Sequence, residues 1–278
     1  MTVLLPRDLG EALDMRARYP DAKAIAGGTD LCANWPQSIA DQWRPPTWLD
    51  LSGVDELRAC RWTEEELVLG AGATYWDVIQ DRRAAVELPL LAQAARQVGV
   101  VQIQARGTWG GNVVNASPAA DGVPVLMAYD ATLVLRSRDQ TVDIPLSDFY
   151  LGYKQMRIQP DQLLTEIRIP RAKYDFQWFE KVGSRGAQAI TKVGVAVSRR
   201  RDVWRVVANS VAPTVCRCRA VESLLASDAA ISGPDDLAAA LSSDVSPIDD
   251  VRSTARYRGQ VLARLLYWGL RDECVSFT

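Results

Sequence analysis

The chain has 278 residues, with 32 Lys and Arg against 34 Asp and Glu, and no run of like charge long enough to act as a nucleic-acid tail or a polybasic anchor. It contains no histidine, which excludes serine–histidine triads, most catalytic zinc sites and imidazole acid–base work. A hydrophobic content of 48% supports a packed core in one large or two modest domains.

Any chemistry is therefore expected to come from a cofactor. No N-terminal stretch joins a charged start, an apolar core and a cleavage site, and no apolar run reaches the roughly 18 residues of a membrane span. The expectation is a soluble, cytoplasmic protein that binds no nucleic acid. Cys32, Cys60, Cys216, Cys218 and Cys274 are scattered without C-x-x-C spacing, so reduced, mostly buried thiols are expected and no metal site is assigned.

In chain order, LPRDLGEALDMRARYP spaces Leu9, Leu13 and Ala17 four apart beside Ala12 and closes at Pro20, which predicts an amphipathic helix. AKAIA reads as a short buried strand leading into GGTD. LVLGAG (Leu67 to Gly72) reads as a strand, TYWDVIQDRR as a helix capped by Thr74, and LPLLAQAARQVG as a helix ending at Gly99. ATLVLRS, TVDIP and LLTEIRIP read as strands, the last closed by Pro170. Up to about residue 170 the pattern is mixed α/β.

Beyond it come three strand candidates, FQWFEKVG, ITKVGVAVSR and VWRVVANSVAP, then helical segments near 216–227, 234–241 and 252–272. Strands followed by helices suggest an α+β unit. In the last helix, Val261, Leu265 and Trp268 share a face expected to pack on the sheet. The nine tryptophans, among them Trp35, Trp43, Trp48 and Trp62, read as core and interface anchors.

Two glycine-rich loops stand out. In IAGGTDL, Gly27 and Gly28 follow a strand and can take positive φ, letting main-chain N–H groups converge on an anion. Thr29 adds a hydroxyl, and the Asp30 carboxylate suits a ribose hydroxyl better than a phosphate. TWGGN, Thr108 to Asn112, repeats the design. Neither is a P-loop or a G-x-G-x-x-G fingerprint. One GG alone reads as a turn; two, each beside Thr and Asn or Asp, favour a shared pyrophosphate site. In the following ASPAADGVP, Ser117 and Asp121 are candidate helix caps, and Pro124 fits a first turn.

IAGGTDL, TWGGNVVNASPAADGVPVLMAYDA, LLTEIRIP and FEKVGSR occur in an order and spacing that resemble the FAD-binding medium subunit of molybdenum hydroxylases. That family includes the flavoprotein subunit of carbon monoxide dehydrogenase, the flavin domain of xanthine dehydrogenase and the β subunit of 4-hydroxybenzoyl-CoA reductase. The resemblance covers essentially the whole chain. It implies an α+β fold with a PCMH-type, vanillyl-alcohol-oxidase-like FAD-binding domain over 1–170, made of two α/β subdomains at about 1–55 and 56–170. A C-terminal α+β domain over 171–278, with a three-stranded antiparallel sheet, completes it.

By resemblance, Ala24, Ile25, Ala26, Gly27, Gly28, Thr29, Asp30 and Leu31 form the first pyrophosphate loop, and Thr108, Trp109, Gly110, Gly111 and Asn112 the second. Asp121, Leu164 and Lys181 match further FAD contacts. A lysine there would stabilise an anionic reduced flavin; the plain alternative is a strand lysine with its ammonium in solvent. Val98 stands where relatives often carry an aromatic residue. Trp109 replaces an aliphatic residue, with its indole either near the adenine or in the interior.

GSRGAQAITKV lacks the acidic residues of an NAD site; Arg185 is a candidate for the flavin neighbourhood, with a surface salt bridge as the favoured reading. Cys216 and Cys218, read as helical, cannot supply a [4Fe–4S] cluster, so FAD is the only cofactor assigned to this chain. No residue of this chain is assigned a catalytic role. The resemblance implies an electron-transfer subunit that takes electrons from the [2Fe–2S] clusters of a small subunit, itself fed by a large molybdopterin subunit, and passes them to an external acceptor within an (αβγ)2 assembly. The alternatives are a cofactor-free structural subunit and a self-sufficient flavin oxidase.

Overall fold

The structure is a computed structural model that describes residues 2–33, 46–227 and 229–272. Trp35, Trp43, Cys274 and the Cys32 side chain lie outside the described residues.

The chain begins with β1 (Val3–Leu4), α1 (Leu9–Arg18), β2 (Lys23–Ile25), α2 (Thr29–Ala33) and β3 (Trp48–Asp50), whose strands form a parallel sheet in the order β1-β3-β2. Asp8 caps α1 by accepting the Glu11 N–H at 2.8 Å, and the helix buries Ala12 and Leu13 against Leu49, Val54 and Leu57. The expected buried strand AKAIA is corrected: β2 is an edge strand with Lys23 and Ala24 exposed, and Ala22 just before it is the buried residue.

The middle of the chain holds β4 (Cys60–Trp62), β5 (Glu66–Gly70), α3 (Tyr75–Gln80), α4 (Arg82–Glu87), α5 (Pro89–Gln97), α6 (Val101–Gln104), α7 (Trp109–Asn115) and α8 (Gly122–Ala128). It continues with β6 (Thr132–Arg136), β7 (Thr141–Pro145), the hairpin β8 (Tyr150–Gly152) and β9 (Gln155–Met156), and β10 (Leu163–Pro170). The main sheet is antiparallel, in the order β4-β5-β10-β6-β7. TYWDVIQDRR is two helices rather than one. Thr74 caps α3 through a capping box with Asp77, but Asp81 is extended and its carboxylate accepts the Arg83 and Ala84 N–H groups, starting α4 afresh.

The last part contains β11 (Phe176–Val182), β12 (Val193–Arg200), β13 (Val203–Asn209), β14 (Cys216–Arg217), α9 (Arg219–Leu225), α10 (Pro234–Leu241) and α11 (Ala255–Leu270). The expected three-stranded sheet has a fourth strand, because Cys216 and Arg217 pair with Ala208 and Val207 before the chain turns into α9. Cys216 is thus in a strand and Cys218 is the residue before α9, so neither is helical. Among the described residues Cys60, Cys216 and Cys218 carry free thiols, Cys218 buried, Cys216 half-buried and Cys60 exposed.

The packed face of α11 is also corrected. Leu262, Leu266 and Leu270 are fully buried, Val261 and Leu265 lie at the edge, and Trp268 is 58% exposed.

One face of the last sheet, with Val195, Val197 and Val206, packs on α9 to α11. Ala196, Val207 and Phe179 on the other face join the core of the middle sheet, as the two-residue strand period requires. Between them lies α8, buried along its whole length.

Candidate functional site

The two glycine segments meet. A Cβ on Gly27 would stand 1.8 Å from the Arg106 carbonyl oxygen, and Gly28 has φ +70, so this approach requires a residue without a side chain at 27 and favours one at 28. Among the described residues no main-chain acceptor takes the N–H of Gly27 or Gly28. Ala24 is an exposed residue of β2, while Ile25, Ala26, Thr29 and Leu31 are half-buried. Asp30 lies in the first turn of α2.

TWGGN is not a loop but the start of α7. Thr108 is extended and caps it, its hydroxyl accepting the Gly111 N–H at 3.0 Å. Trp109 and Gly110 donate their N–H groups to the Ala73 and Ala71 carbonyls, both at 2.9 Å, and Thr74 bridges Thr108. A Cβ on Gly110 would fall 2.5 Å from the Ala71 oxygen. The second segment therefore spends its first N–H groups on the neighbouring backbone. Asn112 accepts the Gly122 N–H at 3.1 Å, and its amide nitrogen has no hydrogen-bond partner among the described residues.

The Trp109 indole is in the interior, fully buried beside Tyr75 at a ring separation of 5.1 Å. Its Nε1 has no partner among the described residues. Leu164 is buried in the same core at a bulge of β10, and Val98 packs on it from the end of α5. The Tyr150 hydroxyl, at 2.9 Å, donates to the Val113 carbonyl, and Lys154 binds the Asn115 carbonyl, so the β8–β9 hairpin holds the end of α7. This support was invisible in the sequence motifs.

Asp121 precedes α8 with φ −86 and ψ −29 and makes no cap hydrogen bond. Capping needs an extended residue, so the carboxylate is released to other partners. Ser117 instead closes a local turn onto the Ala119 N–H. Lys181 donates to Asp121 Oδ2 at 2.6 Å and to the Gln97 carbonyl at 3.0 Å. The side chains of this ion pair are 6% and 12% exposed, so the Lys181 ammonium is not in solvent.

Thr191 donates its hydroxyl to Asp121 Oδ1 at 2.5 Å. Burial pushes the Asp121 carboxyl above its ordinary range, against the opposing pull of Lys181, Thr191 and Asn209. Asn209 also donates to the Ala120 carbonyl at 2.8 Å. Thr191 and Asn209 were missed from the sequence because they lie outside the glycine motifs. Thr191 is 70 residues from its partner.

Arg185 forms no ion pair among the described residues; its guanidinium binds the carbonyls of Ala187 and Gln188 in its own loop. Among the described residues there is no group of three or more Cys, Asp or Glu that could hold a metal, and no helix is long and apolar enough to cross a membrane.

The geometry forms a continuous series: Gly27 against Arg106, then Thr108 to Asn112, Gly122 beside Asn112, and Asp121 bound to Lys181. Residues 1–172 match the family described as FAD binding domain in molybdopterin dehydrogenase, and residues 178–272 match the CO dehydrogenase flavoprotein C-terminal domain. The chain is 29% identical to the carbon monoxide dehydrogenase medium chain of Hydrogenophaga pseudoflava, over 94% of each chain. It is 34% identical to the caffeine dehydrogenase subunit beta of Pseudomonas sp. (strain CBB1), over 79% of this chain and 76% of that one.

A solved structure of the H. pseudoflava carbon monoxide dehydrogenase superposes with a TM-score of 0.86 at 26% identity, covering 96% of this chain and 94% of the other. The chain belongs to the FAD-binding medium subunits of the molybdenum hydroxylase family, an oxidoreductase family of multi-subunit enzymes.

Proposed function

We propose that the chain holds FAD across the two glycine segments and works as the electron-transfer subunit of a molybdenum hydroxylase. The observation that carries this reading is the contact of Gly27 with Arg106, which joins the two segments into one cradle that a side chain would fill. The donor set fits a pyrophosphate: among the described residues the Gly27 and Gly28 N–H groups and the Asn112 amide nitrogen have no acceptor. Ala24 to Leu31 form one wall and Thr108 to Asn112 the other, with Trp109 supporting from behind.

Asp30 is suited to a ribose hydroxyl. Asp121, Leu164 and Lys181 line the flavin end, with the lysine as the positive group that stabilises added electron density. When bound, FAD supplies the redox chemistry, accepting electrons singly and giving up one or two. The protein orients it and excludes water.

In this reading a small subunit with [2Fe–2S] clusters delivers electrons that a large molybdopterin subunit has taken from the substrate, in an (αβγ)2 assembly in the cytoplasm, and an external acceptor removes them. The fold reading in its finer form, two vanillyl-alcohol-oxidase-like subdomains and a C-terminal domain beginning near residue 171, belongs to the same proposal. Co-expressed with its partner subunits, the chain is expected to carry about one FAD per chain by absorption after extraction. A purified assembly without flavin overturns the reading and favours a purely structural subunit.

A further inference from the structure

Thr191 precedes β12 and is 1% exposed. Its place is fixed on several sides. Its carbonyl accepts the Ser210 hydroxyl at 2.9 Å, and the Ser210 N–H binds the Pro118 carbonyl at 2.7 Å. Buried Arg258 clamps the Lys192 and Ser210 carbonyls, both at 2.8 Å. The Thr191 hydroxyl is thereby aimed across the seam between the last sheet and α8, where it meets Asp121 Oδ1.

The other carboxylate oxygen holds Lys181. Rotation about the final torsion of an aspartate is soft and roughly two-fold, so without the Thr191 hydroxyl the carboxylate, left to Lys181 and the neighbouring Asn209, can swing. Two of the three Lys181 ammonium hydrogens are engaged, by Asp121 and Gln97. The third has no acceptor among the described residues.

We propose that Thr191 is a positioning residue for the FAD site: its hydroxyl locks the Asp121 carboxylate so that Lys181 presents its remaining ammonium hydrogen to the bound cofactor. The proposal rests on the FAD reading above. Thr191 itself does not touch the cofactor; it acts through Asp121.

The test uses the full chain, stripped of FAD and titrated with FAD while flavin fluorescence is followed. Thr191→Val keeps the branched shape and removes the hydroxyl; it is expected to weaken FAD binding about tenfold, the size of one hydrogen bond to a charged group. It also lowers the midpoint potential of the bound flavin. Thr191→Ser restores both, and Thr191→Val has no further effect in an Asp121→Ala background, which leaves the hydroxyl no oxygen to bind.

Wild-type affinity and potential in Thr191→Val, equal loss in the Asp121→Ala background, or failure of Thr191→Ser to rescue each overturns the proposal alone. A parent chain that takes up no FAD overturns the site reading, and the proposal with it.

Discussion

At the scale of single residues, Gly27 is the position with least freedom. Even a methyl group there collides with a carbonyl rather than with a movable side chain, so the backbone itself must shift, at a cost of roughly 1–3 kcal/mol. Gly27→Ala is expected to lower the thermal midpoint and release FAD. Gly186→Ala, where a Cβ meets nothing within 4 Å, should change stability by less than about 0.5 kcal/mol. Thermal unfolding and the flavin spectrum of the two variants check the contrast.

This requirement at position 27 was legible as a motif, though not its cause, since Arg106 lies 79 residues away. Trp109 could be narrowed to two places by sequence, and its packing on Tyr75 decides for the interior.

At the scale of elements, the regular helices and long strands were readable because their periodicity and caps are local. TWGGN was not read as a helix because glycine costs about 1 kcal/mol in a helix interior. Contact with Ala71 overrides that propensity. The fourth strand, β14, has two residues and carries no periodic signal.

The hairpin that holds the end of α7 was equally hidden. Its Tyr150 side chain is half-buried, and desolvation raises the phenol pKa. Tyr150→Phe removes the donor to the Val113 carbonyl, which still accepts the Ala116 N–H at 3.1 Å. The expected cost is therefore only about 1 kcal/mol, seen as a lower denaturant midpoint with an unchanged slope.

At the scale of the whole molecule, Glu87 on α4 holds Arg171 after β10, and Glu166 on β10 holds Arg61 on β4, so each carboxylate joins segments far apart in the chain. Glu87 is held below its ordinary value by hydrogen bonds from Arg171 and Arg83. Arg171 also binds the Thr63 and Glu64 carbonyls. For Glu166, burial alone would raise the value, but Arg61 and Arg168 outweigh it and the net direction is down.

Groups lowered by folding contribute stability above their unfolded value, here 4.5. That contribution is lost as pH falls below 4.5 through the lowered values. Glu87→Gln combined with Glu166→Gln should flatten this acid limb of thermal stability, which melts measured across the range will show. The sequence gives no sign of the Glu87–Arg171 and Glu166–Arg61 pairs, or of the seam at Asp121, because ion pairs between distant segments have no sequence period.

The burial of α8 has a consequence for maturation. The residues proposed to grip the flavin end include Asp121 before α8 and Lys181 on β11, 60 positions later, and α8 is enclosed only when the last sheet covers it. A growing chain that has made both glycine segments still lacks the lysine proposed for the flavin end of the cradle. Cofactor capture thus belongs after synthesis of the C-terminal sheet, making flavin loading a report on completed folding.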